Sequence, residues 1–224
     1  MIQPNCRDRL TGADFDFIAD TLAARAGEKE KAAVRKLLAD PSERDLILDN
    51  PKLFERVVTF PEKTAPFSEF LFFYILVRHQ FLNKELPNPE IADYCASLLV
   101  YLMPGKKNPQ KYIHLIKQLK DLQQASRRSV FAFHVQLANY ALFLSGMFPE
   151  YFETPCRVRP SVSYYEIVGR SSFLAASRHE IATVAGFQKI LMEMGKTFSS
   201  ARRGLNGVKH FFNLKNEIWH FLIN

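Results

Sequence analysis

The densest group of residues able to do chemistry is Ser163-Tyr164-Tyr165-Glu166-Ile167-Val168-Gly169-Arg170. On a helix, Glu166 and Arg170 stand one turn apart and share a face. An arginine so placed can grip an anionic group with two parallel hydrogen bonds, while the nearby carboxylate orients it. Tyr164 and Tyr165 would add hydroxyls and flat apolar faces. The same residues have a plainer use. Ser163 and Glu166 have the spacing of a capping box, and an exposed i, i+4 ion pair contributes only a few tenths of a kcal/mol. Gly169 in mid-helix costs about 1 kcal/mol against alanine, which points to a close helix crossing or to a ligand against the backbone.

A second group is His134, Gln136, Asn139 and Tyr140, inside Ser129 to Pro149, where no residue is formally charged. Buried amides and imidazoles need partners. The preferred reading is a satisfied core network that fixes helix register; the alternative is the polar lining of a pocket between helices. Arg78 follows the apolar run Phe70 to Val77. A buried guanidinium must find an acid or carbonyls. Its stem is also long enough to carry the charge to the surface at the helix end, and that is the expectation here. Taken together, a ligand site would use Tyr164, Tyr165, Glu166, Arg170, His134 and Asn139, with Arg78 as charge partner.

No catalytic signature accompanies them. There is no His-Glu-x-x-His, no phosphate-binding glycine loop and no Gly-x-Ser-x-Gly elbow. The histidines at 79, 114, 134, 179, 210 and 220 include no pair at i, i+3 or i+4. Cys6, Cys95 and Cys156 form no Cys-x-x-Cys pair. No metal and no cofactor is expected.

The elements that position these residues read as helices throughout. Asp14 onward places Phe15, Ile18 and Leu22 on one face and stops at Gly27, before a charge-rich helix over Glu28 to Ala39. Asp40-Pro41, Asn50-Pro51 and Asn88-Pro89 each join a capping side chain to a proline suited to the first helical position. They open helices at Ser42 to Leu48, Lys52 to Val58 and Glu90 to Leu102. Further helices are expected over Phe67 to Asn83, Gln110 to Gln124, Ser126 to Met147, Ser163 to Arg178, Glu180 to Ala201 and Asn213 to Ile223. Asn206-Gly207 reads as a helix stop, and Thr154 to Ser161 as a loop. No strand or hairpin signal is present. The predicted fold is all-α: a compact multi-helix bundle of nine or ten helices around a buried apolar central helix. Residues 1–60 form a small N-terminal helical subdomain and residues 61–224 the main helical domain, in one folding unit.

Two blocks carry a resemblance: Asn139-Tyr140-Ala141-Leu142-Phe143-Leu144-Ser145-Gly146-Met147-Phe148-Pro149, and Tyr164-Tyr165-Glu166 followed by Gly169-Arg170-Ser171-Ser172-Phe173. Together they resemble a group of uncharacterised bacterial helical proteins with no established activity. The resemblance implies a bacterial, cytosolic, all-helical protein and transfers no functional residue.

Composition narrows the classes. The 224 residues are 47% hydrophobic, too apolar for disorder. Nine glycines, 12 prolines and three cysteines exclude collagen-like, low-complexity and disulfide-scaffold chains. The N-terminus has no secretory pattern, and three unpaired thiols fit a cytoplasmic location. Ser129 to Pro149 is long enough to cross a bilayer, but its mid-span polar residues favour a buried core helix, so no membrane partner is expected.

The net charge of +7 is uneven. Residues 156–224 hold 10 basic against 4 acidic residues, and so supply +6 of it. Lys196, Arg202, Arg203, Lys209, His210 and Lys215, joined by Arg157 and Arg159, would be the phosphate-facing residues of a nucleic-acid binder. No nucleic-acid-binding motif accompanies them, and that partner is disfavoured. The expected function is a non-enzymatic interaction or regulatory protein, through a protein partner or self-association. The alternatives are a small anionic-ligand-binding protein or enzyme, and nucleic-acid binding through the basic C-terminal third.

Overall fold

The computed structural model describes residues 2–24, 27–60, 65–102, 127–149, 152 and 160–214. The expected helices over Gln110 to Gln124 and Asn213 to Ile223, and most of the Thr154 to Ser161 loop, lie outside the described residues or largely so.

A single 3-10 turn, η1 (Arg7–Arg9), precedes eleven α-helices among the described residues. These are α1 (Gly12–Leu22), α2 (Glu28–Ala39), α3 (Pro41–Leu48), α4 (Pro51–Thr59), α5 (Glu69–Leu82), α6 (Pro89–Leu102), α7 (Arg127–Met147), α8 (Val162–Ser177), α9 (Glu180–Val184), α10 (Gln188–Lys196) and α11 (Phe198–Leu214). No strand is present among them. The all-α bundle is therefore as expected.

Capping chemistry sets several of these boundaries. Thr11 caps α1 in a reciprocal capping box with Asp14. Asp40 and Asn50 accept the first amides of α3 and α4, each followed by proline at the first helical position. At α8 the structure corrects the sequence reading. The cap is Ser161, whose hydroxyl accepts from Tyr164 N–H, so Ser163 and Glu166 form no capping box.

The stretch Glu180 to Ala201 is not one helix either. It breaks at Gly186, which takes φ +74°, and again at Thr197, giving α9, α10 and the start of α11. Asn206-Gly207 is no stop, because α11 continues through both to Leu214. α11 passes close to α5 at Gly207, where a Cβ would meet the movable end of the Gln80 side chain.

α7 packs chiefly against α8 and α11, and α11 also lies against α5, which pairs with α6. The Phe67 to Asn83 helix thus reaches the central helix through α11 and α6. One segment, Val130–Met147, is long and apolar enough to cross a membrane, and 72% of it is buried inside the bundle.

The N-terminal helices are tied to α5 and α6 by buried charge. Arg7 donates through Nη1 to Asp45 (2.6 Å), through Nη2 to Glu90 (2.6 Å) and through Nε to Asp93 (3.2 Å). Asp93 is buried and also accepts from the Cys6 amide at 2.8 Å. Burial pushes its carboxyl above the usual range, and Arg7 with the two amides pulls it partly back. Asp14, also buried, accepts from the Ser68 amide (2.6 Å) and hydroxyl (2.8 Å) at the start of α5.

Arg78 overturns the expectation that its charge escapes to solvent. It is 5% exposed, and its fork meets Asp49 at 2.6 and 2.7 Å, while Nη1 donates to the Pro87 carbonyl at 2.6 Å. The reason is the loop after α3, which delivers Asp49 to the flank of α5. A bidentate carboxylate compensates the lost hydration more fully than a stretched stem could.

Candidate functional site

The structure separates the residues that the sequence groups together. Asn139 is a core residue of α7, and its Oδ1 accepts from the Tyr94 hydroxyl of α6 at 2.7 Å. Tyr94 in turn meets the Phe173 ring edge-on at 5.8 Å. His134 is half-buried, one turn earlier on α7. Burial, helped by nearby His179, holds its imidazole below the usual value, and its Nδ1 is buried without a hydrogen-bond partner. His179 is itself engaged, since its Nδ1 caps α9 by accepting from Ile181 N–H at 3.2 Å. Arg78 lies on α5 with Asp49 and is not a charge partner for α8.

On α8 the pattern splits by face. Tyr165 and Gly169 point inward. Tyr165 packs edge-on to Phe152 at 5.2 Å. A Cβ on Gly169 would overlap the fully buried Phe198 ring and crowd Ala141, so this glycine serves a helix crossing. Glu166 pairs with Arg202 of α11 at 2.6 Å, not with Arg170. Arg202 also donates to Asn206, whose amide donates to the Ser145 and Gly146 carbonyls that end α7. Glu166 is therefore a strut joining α8, α11 and α7.

The remaining face of α8 is exposed: Tyr164 at 40%, Ile167 at 68%, and Arg170. Gly195 of α10 packs against the Leu174 side chain and the Arg170 carbonyl. One turn before it, Met192 is also exposed. Ile167 and Met192 were not singled out from sequence. The available signal was an isoleucine standing on the otherwise polar side of the α8 wheel, between Tyr164 and Arg170.

The segment that carries this face is net basic. Residues 160–209 hold seven basic and three acidic residues. Two of the acids are already paired, Glu166 with Arg202 and Glu193 with Lys196. Arg170, Arg178 and Lys189 are exposed. The basic residues of the C-terminal third do not all serve as free cations: Arg202 is consumed by Glu166, and Lys209 lies over the Phe148 ring at 5.6 Å. Lys215, Arg157, Arg159 and the His210 side chain lie outside the described residues.

Nucleophile and metal chemistry find little purchase among the described residues. Burial pushes the Cys6 thiol up to about 12 and raises Cys95 as well, so both are protonated thiols at neutral pH. No group of three or more His, Cys, Asp or Glu is gathered as metal ligands would be. Comparison with protein-family models, curated proteins and solved structures finds no match.

Proposed function

We propose that the chain is a non-enzymatic interaction protein that receives an acidic amphipathic helix of another protein on the outer face of α8 and α10. The observation that carries this reading is Ile167, a large aliphatic side chain 68% exposed on a helix whose other face is core. Tyr164 and Arg170 stand one turn to either side of it. Apolar anchors at i and i+3 beside cations suit a partner helix with an apolar stripe and acidic flanks. A second copy of this chain fits poorly. A twofold contact would bring two net-basic surfaces together, with exposed Arg170, Arg178 and Lys189 outnumbering exposed Glu180 on each copy.

The test is photo-crosslinking from position 167, with position 29 on exposed α2 as control. A discrete adduct with an acidic protein is expected from position 167 alone, weakened by high salt and abolished by Arg170→Glu. Equal labelling from both positions, an adduct indifferent to Arg170→Glu, or an adduct made only of this chain overturns the reading.

A further inference from the structure

A cleft of about 400 Å³ opens between the N-terminal segment, the start of α5 and the last turns of α6. Its walls include Asn5, Arg9, Glu69, Phe70, Ser97 and Tyr101. Ser97 and Tyr101 are one turn apart on α6, so both present to the same side. The floor is uncharged. Ser97 is buried, and its hydroxyl accepts from the Asn5 amide at 3.2 Å and sits 3.3 Å from the Cys6 sulfur, a protonated thiol.

The rim carries one charge of each sign. The Arg9 guanidinium lies 4.2 Å over the Phe70 ring, which holds its plane in place. Glu69 stands in the first turn of α5 but does not cap it, because Ser68 accepts the Leu71 amide. Among the described residues neither Arg9 nor Glu69 has an ion-pair partner, although the charges nearby are well matched elsewhere, as at Arg7 with Asp45. A cleft that keeps a cation and an anion apart, with aromatic rings alongside, is complementary to a molecule bearing both charges and an apolar group. Its volume lies at the lower end of the roughly 300–1,000 Å³ typical of small-molecule sites.

We propose that this cleft binds a small zwitterion of the α-amino-acid class with an aromatic or large apolar side chain. Its carboxylate pairs with Arg9, its ammonium with Glu69, and its side chain lies along Phe70 and Tyr101. A mono-anion would leave Glu69 repelling it, and a mono-cation would face Arg9 in the same way.

Titration of the full-length chain with three probes by calorimetry or NMR tests this: L-phenylalanine, 3-phenylpropionate and 2-phenylethylamine. L-phenylalanine is expected to bind roughly tenfold tighter than either singly charged analogue. Arg9→Gln and Glu69→Gln should each remove that advantage while leaving the circular dichroism unchanged. Glu69→Gln should also make 3-phenylpropionate as good a ligand as L-phenylalanine, a reversal that mere loss of folding does not produce. Arg170→Gln, on α8 and outside the cleft lining, should change nothing. The absence of saturable binding in the millimolar range overturns the proposal. So does equal binding of all three probes, or a preference that survives both substitutions.

Discussion

Two neighbouring regions of this bundle are held together by different physics. Around α5 and α6 the contacts are charged and largely shielded: Arg7 with Asp45, Asp93 and the more exposed Glu90, Arg78 with Asp49, and the Asp14 carboxylate accepting from Ser68. Around α7, α8 and α11 one ion pair, Glu166 with Arg202, stands beside close contacts made where side chains are missing. Gly146 meets Leu205, Gly169 meets Phe198, Gly195 meets Leu174, and Gly204 meets Phe81. A buried ion pair is selective about its partner but contributes little net stability, whereas a glycine crossing gains dispersion contact and tolerates no added volume. The first region should therefore fail when one charge is removed, and the second when one methyl is added.

The largest effect is expected in the ionic region. Asp49→Ala leaves the Arg78 guanidinium buried with only the Pro87 carbonyl and should cost about 3 kcal/mol in urea unfolding. The paired replacement Arg78→Met with Asp49→Leu removes both charges and should recover most of that loss. If the double variant is as unstable as the single one, the ion pair is worth more than its desolvation, and the contrast drawn here breaks. In the glycine region, Gly169→Ala places a methyl inside the Phe198 ring and against Ala141, and Phe198 is too buried to swing away. The expected loss is about 2 kcal/mol, more than offsetting the gain of about 1 kcal/mol in helix propensity. Gly12→Ala, with nothing within 4 Å, should be close to neutral and serves as the control.

The same contrast explains what the sequence made legible. Helix class and most boundaries are local matters, decided by Thr11, Asp40-Pro41, Asn50-Pro51 and the periodicity of apolar residues, and these were readable. Charge partners are not local. Arg78 finds Asp49 across 29 positions, and Glu166 finds Arg202 across 36, past the nearer Arg170. An i, i+4 spacing licenses a pair only if no better-placed partner arrives from another helix. Glycine was readable as a signal at Gly169 and misread at Gly207, because a close crossing and a helix stop use the same residue for different reasons. The outer face of α8 is legible in the sequence through its polar residues, whereas the exposure of Ile167 depends on how the helix packs and is not.

Among the described residues each region also keeps one buried side-chain polar atom without a partner: the Tyr74 hydroxyl on α5 and Nδ1 of His134 on α7. Only the second can titrate near neutrality. Tyr74 is pushed upward by burial, further from physiological pH, so the ionic region gains no pH sensitivity from it. His134 is pushed downward by burial and by His179 from a usual value of 6.5. Between that value and the lower folded one, the unfolded chain binds the proton and the folded chain does not. Its contribution to stability is therefore complete above pH 6.5 and is lost as the pH falls through the folded value. His79, held down by burial and stacked on Phe54 at 3.6 Å, acts in the same direction and adds to the slope. His134→Phe should remove one of the two contributions, leaving the urea midpoint at neutral pH unchanged or higher and flattening its decline on acidification. The effect is the smallest of the set because the imidazole is only half-buried and solvent mutes its desolvation. An unaltered slope in His134→Phe would place the pH response outside α7, with His79 on α5 as the next group to replace.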